Sequence, residues 1–328
     1  MKKRTLGKTG YKISEIGLGT WQLGGRWGDP YKEKSAQAIL ESAVENGLNF
    51  IDTADVYNDG MSEESIGTFL KSQKDRIYVA TKCGRQINPH VSEGYSPEVL
   101  TRYVEDSLKR LQLETLDLIQ LHCPPTQVYY RPEIFETFDR LKEQGKVQNL
   151  GVSVEKIEEA SKAIEFPNVT SVQLIFNMFR HRPLDWFFDL AAKRNVGIIV
   201  RVPLASGLLT GKFSRQSSFT SGDHRNFNRD GKAFDKGETF SGVPYELGLD
   251  AVERLKELFG PEMNLAQTAL RWILMHPQVS SVIPGASSRE QMKGNAAAAA
   301  MAPLSESQMH GVQKIYDDLI KNEVHQLW

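Results

Sequence analysis

An α/β fold of the (β/α)8 TIM-barrel class, with an N-terminal hairpin and a long loop after strand 7, is what this sequence predicts. Three observations lead there. Short apolar runs alternate with longer amphipathic segments, the pattern of repeated βαβ units. Eight such runs occur, the barrel number. The chain has 328 residues, 40% of them hydrophobic, which suits one large elaborated domain spanning residues 1–328.

The opening stretch is polar and punctuated by Gly7 and Thr9-Gly10, the signals of a turn. The first barrel strand is expected at Ile13–Leu18. The others are expected at Asn49–Ile51, Ile77–Thr81, Leu116–Leu121, Val147–Val152, Ser171–Leu174, Gly197–Val202 and Val279–Ile283. Each has the apolar bias of a strand covered on both faces.

Helical patterns fill the intervals at Ser35–Asn46, Glu63–Lys71, Pro97–Leu111, Pro132–Gln144, Glu155–Glu165 and Leu184–Arg194, then at Leu265–Met275 and Arg289–Ala298. Ser62 precedes the second of these and Ser96-Pro97 the third, where proline suits the first helical turn because its missing N–H would have no partner there. Right-handed crossovers then bring every strand-to-helix loop to one rim. Phe213–Gly242 breaks the rhythm, being rich in Ser, Gly, Asn, Asp and Arg. It reads as a long loop on that rim, a functional lid in preference to a disordered excursion, with Asp223-His224-Arg225 supplying charge. The run Ala296–Ala300 reads as a helix continuation or a close-packing surface.

With 40 basic against 41 acidic side chains and no basic run longer than Lys2-Lys3-Arg4, the chain has no field to concentrate nucleic acid. The two cysteines, Cys83 and Cys123, lie just after predicted strands and suit reduced packing thiols better than a disulfide. No apolar segment approaches the ~20 residues of a membrane span or follows the basic start as a signal peptide would. The expectation is a cytoplasmic protein without a membrane partner; the oligomeric state is not legible.

Three apolar runs end in an ionisable residue at the rim where barrel active sites are built: Ile51 leads to Asp52, Thr81 to Lys82 and Leu121 to His122, with Tyr57 in the loop after Asp52. Singly, each has an ordinary alternative as a cap, a snorkelling lysine, a core histidine or a packing tyrosine. Together they make a catalytic group. Lys82 would favour the Tyr57 phenolate and lower its pKa, Asp52 would pair with Lys82, and neutral His122 would orient a substrate oxygen.

The segments LGLGTWQLGG, FIDTADVYNDGMSEESIG, YVATKCG, LIQLHCP, LGVS, VQLIFN, PLASGLLTGKF and IPGASSREQMKGN resemble successive motifs of the aldo-keto reductase superfamily, in that family's order and over nearly the whole chain. The potassium channel β subunits share these motifs. The resemblance implies an NADPH-dependent reduction of aldehydes or ketones, with Asp52, Tyr57, Lys82 and His122 as catalytic residues, Tyr57 as proton donor, and no metal.

No GxGxxG fingerprint opens a helix, so a Rossmann-type site is not indicated. Pro284–Gln291 instead leads small residues into a helix, presenting backbone N–H groups and a guanidinium to an anion. The resemblance implies that Ser287 and Arg289 bind the adenosine 2′-phosphate, with Gly285 beside them, and that Gln291 and Asn295 hold the adenine. It places Ser153 and Gln173 at the nicotinamide carboxamide, and Pro203, Leu204, Gly207, Leu208 and Lys212 around the pyrophosphate. Gly19, Thr20, Trp21 and Asp52 complete the cofactor positions.

Departures from the family pattern are Val154 after Ser153, Gly294 before Asn295, and Arg201 where an aromatic ring commonly stacks on the nicotinamide. Arg201 is expected either to lie near that ring and disfavour its oxidised form or to turn away into a salt bridge. Trp21, with Trp27 or Val56, is expected to wall an apolar substrate mouth. A redox-sensing partner subunit with slow chemistry, and a barrel lyase or isomerase using Lys82, are the competing functions.

Overall fold

The computed structural model describes residues 1–25 and 30–328. β1 (Lys3–Thr5) and β2 (Lys12–Ser14) pair antiparallel, with Lys3 opposite Ser14. The expected hairpin is therefore present, but it takes Ile13 from the first predicted barrel strand. The Ser14 N–H donates to the Asn49 side chain at 2.7 Å, which ends the hairpin pairing and turns the chain into the barrel.

The barrel strands are β3 (Leu18–Gly19), β4 (Phe50–Asp52), β5 (Tyr78–Cys83), β6 (Leu118–His122), β7 (Leu150–Ser153), β8 (Val169–Ile175), β9 (Gly197–Arg201) and β10 (Val279–Val282). They run parallel in chain order from β3 to β10. Gly17 N donates to Val282 O at 2.9 Å and Gly19 N to Pro284 O at 3.1 Å, joining the first strand to the last. Closure leaves no open edge.

Around the strands lie α1 (Glu33–Glu45), α2 (Met61–Leu70), α3 (Pro97–Leu111), α4 (Pro132–Glu143), α5 (Ile157–Ala163) and α6 (Phe187–Lys193). The Ser96 hydroxyl caps α3 by accepting from Val99 N at 3.3 Å, and Pro97 opens the helix as expected. Later come α7 (His224–Phe227), α8 (Tyr245–Phe259), α9 (Leu265–Leu274), α10 (Arg289–Ala297), α11 (Glu306–Ile315) and α12 (Lys321–Val324). The alanine run does continue a helix, as a 3-10 turn over Ala298–Ala300 after α10.

Phe213–Gly242 is organised without a hydrophobic period. Asn228, fully buried, accepts from Ala233 N and Phe234 N at 2.9 Å each and donates to the Thr239 hydroxyl at 3.1 Å. One side chain thus ties the segment's backbone donors, so order here comes from polar contacts that periodicity does not reveal.

The hairpin plugs the N-terminal end of the barrel. Leu6 and Ile13 pack with Phe50, Ala80, Leu118, Ile199 and Ile283. Side chains two apart on a strand share a face, so those apolar positions are followed on the same inward face by Asp52, Lys82, Gln120, His122 and Arg201. The interior is apolar at one end and polar at the other, and this gradient positions the site. Among the described residues no helix is long and apolar enough to cross a membrane.

Candidate active site

The four expected catalytic residues converge at the polar end. Lys82 Nζ, buried, donates to Asp52 Oδ1 at 2.5 Å, to Thr53 O at 2.8 Å and to Tyr57 Oη at 3.4 Å. The Tyr57 and His122 rings meet edge to face, 6.0 Å between centroids. Tyr57 reaches this position because the chain after β4 turns through a tight segment in which Asn58 and Asp59 adopt left-handed φ of 49° and 53°.

Asp52 is fixed from its other side by two groups. Its Oδ2 accepts from Gln173 Nε2 at 2.7 Å and from Gln120 Nε2 at 3.1 Å. Gln173 was expected at the cofactor's carboxamide and is seen orienting Asp52. Gln120 went unread in the sequence, although it stands two residues before His122 and faces inward by the same alternation. A buried ammonium is tolerable here because carboxylate, carbonyl and phenol all receive its protons.

Burial raises the Tyr57 pKa above that of an ordinary phenol, with Asp52 and Glu238 adding, against the opposing pull of Lys82 and Arg85. The expectation that Lys82 would lower the pKa is right for its own contribution and wrong for the sum. Burial would lower the Lys82 pKa, but Asp52 and Tyr57 carry it above the ordinary value. His122 is held well below the usual imidazole range by burial first, then by Arg85, Lys82 and Arg201. It is neutral, as expected, and its Nδ1 has no hydrogen-bond partner among the described residues.

Tyr57 and Asp52 open onto a cleft of about 2120 Å³. Gly19, Thr20, Trp21, Gln173, Arg201, Pro203, Leu204, Gly207, Lys212, Gly285, Ser287, Gln291 and Asn295 line it too, so most of the expected cofactor positions share one groove. Ser153 and Leu208 are buried behind it, Ser153 accepting from the Cys123 thiol at 3.4 Å.

Several of these side chains have protein partners. Gln291 Oε1 accepts from Ser287 N at 2.8 Å, and Asn295 Nδ2 donates to Gly285 O at 3.1 Å. The Ser288 hydroxyl caps α10 by accepting from Gln291 N at 3.2 Å. Arg289 points away from the cleft toward α1, 2.6 Å from Glu45 and 3.3 Å from Glu41.

The mouth of the cleft differs from the apolar substrate mouth expected. Trp21 does form a wall, packed against His224 at 4.6 Å and Phe234 at 6.4 Å, and Val56 lines the same cleft; Trp27 lies outside the described residues. Beside these stand four charged groups. Arg201 takes the salt-bridge alternative, with Nη2 at 2.8 Å from Glu155 and 3.0 Å from Val154 O, and Nη1 at 3.5 Å from Glu238. Arg85 Nη2 lies 2.5 Å from Glu238 and 3.4 Å from Glu155.

The compensated charge of Arg201 removes the unpaired cation that a bias against oxidised cofactor required. Cys123, Glu155 and Glu238 bring a thiol and two carboxylates within 4.8 Å of one another, but the two guanidiniums already supply the positive charge a metal would bring. Arg85 and Glu155 each follow a strand end by two residues, a signal that could have found them. Glu238 comes from near the end of the irregular segment, where no strand end marks it.

A model of the Aldo/keto reductase family matches residues 15–317. Among curated relatives, an uncharacterized oxidoreductase, YqkF of Bacillus subtilis, is 31% identical over 95% of this chain and 96% of its own. An NADH-specific methylglyoxal reductase of Escherichia coli is 29% identical over 91% of this chain and 93% of its own. Among solved structures, the holo form of aldo-keto reductase AKR11C1 from Bacillus halodurans superposes with a TM-score of 0.78 at 28% identity, covering 99% of each chain.

Proposed function

Because the chain belongs to the aldo/keto reductase family, whose members are NAD(P)H-dependent oxidoreductases, we propose that it reduces aldehydes or ketones with NADPH and that Tyr57 protonates the carbonyl oxygen. The observation that carries this is the buried Lys82 ammonium, which touches Asp52 on one side and the Tyr57 phenol on the other.

The groove fits an extended dinucleotide. It runs from Tyr57 to the start of α10, with Lys212 and the turn at Gly207 between them. Gly207 has φ of 99°, a backbone that side-chain-bearing residues rarely adopt. At the far end, Ser287, Gln291 and Asn295 would hold the adenosine part, near backbone N–H groups at a helix start that favour an anion. Bound NADPH supplies the hydride for the carbonyl carbon.

The protein's part is acid catalysis and placement. A phenol whose pKa lies above its ordinary value is protonated throughout the neutral range, so Tyr57 always has a proton to give. As negative charge grows on the substrate oxygen, Tyr57 Oη passes its proton there. Lys82, 3.4 Å away, stabilises the phenolate left behind. Asp52 keeps Lys82 charged and in place, and Gln120 and Gln173 keep Asp52 from rotating. Neutral His122 offers a ring N–H to the same oxygen without adding a second cation. The barrel spanning residues 1–328 acts as one unit in this reading.

Tyr57→Phe should lower kcat at least a hundredfold while NADPH still binds with a Kd within threefold of wild type, read by cofactor fluorescence. Retained turnover would remove Tyr57 from the role of acid.

A further inference from the structure

We propose that Arg85, Glu155, Arg201 and Glu238 form the specificity-determining wall of the carbonyl pocket, selecting short carbonyl compounds that carry hydroxyl groups over alkyl aldehydes of the same length. The inference rests on the reductase reading above and specifies its substrate class.

The four side chains close a ring in which guanidiniums and carboxyl groups alternate, with burial raising the Glu155 pKa and the two guanidiniums overriding burial to lower that of Glu238. Each carboxylate contacts both guanidiniums: Glu238 lies 2.5 Å from Arg85 and 3.5 Å from Arg201, and Glu155 lies 2.8 Å from Arg201 and 3.4 Å from Arg85. All four line the same cleft as Tyr57. They are close enough for Arg85 and Glu238 to act on the Tyr57 phenol, and for Arg85 and Arg201 to act on the His122 imidazole.

Such a wall offers donors and acceptors side by side. Both arginines keep a small accessible part in the cleft they line, 22% of the side chain for Arg85 and 10% for Arg201, so their guanidinium N–H groups are the donors within reach. A hydroxyl can accept from such a donor and donate to a neighbouring carboxylate oxygen. An alkyl chain would strand both, and a missing partner for a buried polar group costs more than a made hydrogen bond returns.

Glu238 is held rigidly, and Trp328 is the positioning residue. Trp328 Nε1 donates to Asp235 Oδ1 at 2.7 Å, and that oxygen also accepts from Gly237 N at 2.7 Å, forming the turn Lys236–Glu238. Arg180 lies over the Trp328 ring at 4.4 Å, and a Cβ on Gly237 or Gly242 would stand 2.8 or 2.5 Å from that ring. On the other side, Ser206 Oγ donates to Glu238 O at 3.1 Å. The wall is thus part of the packed structure, and its fourth member is set by an indole that does not line the cleft.

The test compares kcat/KM for glyceraldehyde and for propanal, which share a three-carbon skeleton, in wild type, Glu238→Gln and Trp328→Ala. The expected result is a glyceraldehyde-to-propanal ratio at least tenfold lower in both variants, through a higher KM for glyceraldehyde. A ratio within twofold of wild type in the near-isosteric Glu238→Gln would overturn the proposal whether or not Trp328→Ala folds. If wild type reduces neither aldehyde, the reductase reading fails separately, and saturation-transfer NMR with glycerol and 1-propanol still decides the wall. Stronger transfer to glycerol, lost in Glu238→Gln, supports it, and equal transfer to both alcohols refutes it.

Discussion

At the scale of single residues, position within the barrel decides what a charge does. Lys82 and Arg289 are both cations paired with carboxylates. Lys82 is buried, and its contacts with Asp52 and Tyr57 carry the proposed chemistry. Arg289 is exposed, and its pairs with Glu41 and Glu45 are of a kind that contributes only ~0–1 kcal/mol. They do not prevent the guanidinium from turning to a phosphate at the start of α10. Arg289→Ala should therefore raise the KM for NADPH about tenfold or more and leave that for NADH within twofold, measured by steady-state kinetics with each cofactor. Equal effects on both would place the 2′-phosphate elsewhere.

Elements show how little of a packing surface local sequence describes. The strands that carry the candidate site were legible because inward positions alternate and because their polar residues come last. α8 was not assigned, although Leu249, Val252, Leu255 and Phe259 form its buried stripe. An eight-unit alternation has no place for a helix that follows a loop and precedes another helix. The sequence reads the excursion as a lid, and in the structure its last turns pack against Trp328. Gly242 is the sharpest test of that packing, with φ of 78° and room for no side chain before the indole. Gly242→Ala should destabilise the fold by about 1–3 kcal/mol through backbone strain and overpacking together, read as a drop in denaturation midpoint. An unchanged midpoint would show that the indole yields.

Over the whole molecule, the ends of the barrel have different physics. The closed, apolar end is stapled by Arg4, whose guanidinium donates to Leu274 O at 2.7 Å, Val279 O at 2.8 Å and His276 O at 3.2 Å. The His276 ring packs nearby among Phe176 and Trp272, each with centroids less than 5 Å away. Burial lowers its pKa from 6.5 to about 4.

As pH falls from 6.5 toward 4, the unfolded chain takes up a proton at His276 that the folded one does not. Stability is therefore lost over that window, by at most about 3 kcal/mol from this group. His181 and His224 act in the same direction, lowered to about 3 and about 4. Asp55, raised by burial to about 7, acts in the opposite direction. His276→Phe should flatten the acid side of the stability profile, so that the melting temperature falls less between pH 7 and pH 4.5 than in wild type. A slope equal to that of wild type would show that His276 does not contribute to acid loss.

The sequence by itself determined the eight strand–helix units and the convergence of Asp52, Tyr57, Lys82 and His122, because strand periodicity and a common rim are local consequences of chain order. Through the family resemblance it also named candidate cofactor positions, most of which line one groove in the structure. Only the tertiary structure decided that the Tyr57 pKa goes up, because burial is a property of the surroundings and outweighs one neighbouring cation. It likewise decided that Arg201 is compensated and that the mouth is polar. That ring of charge joins residues 85, 155, 201 and 238, and no local pattern relates side chains brought together by loops of such different lengths.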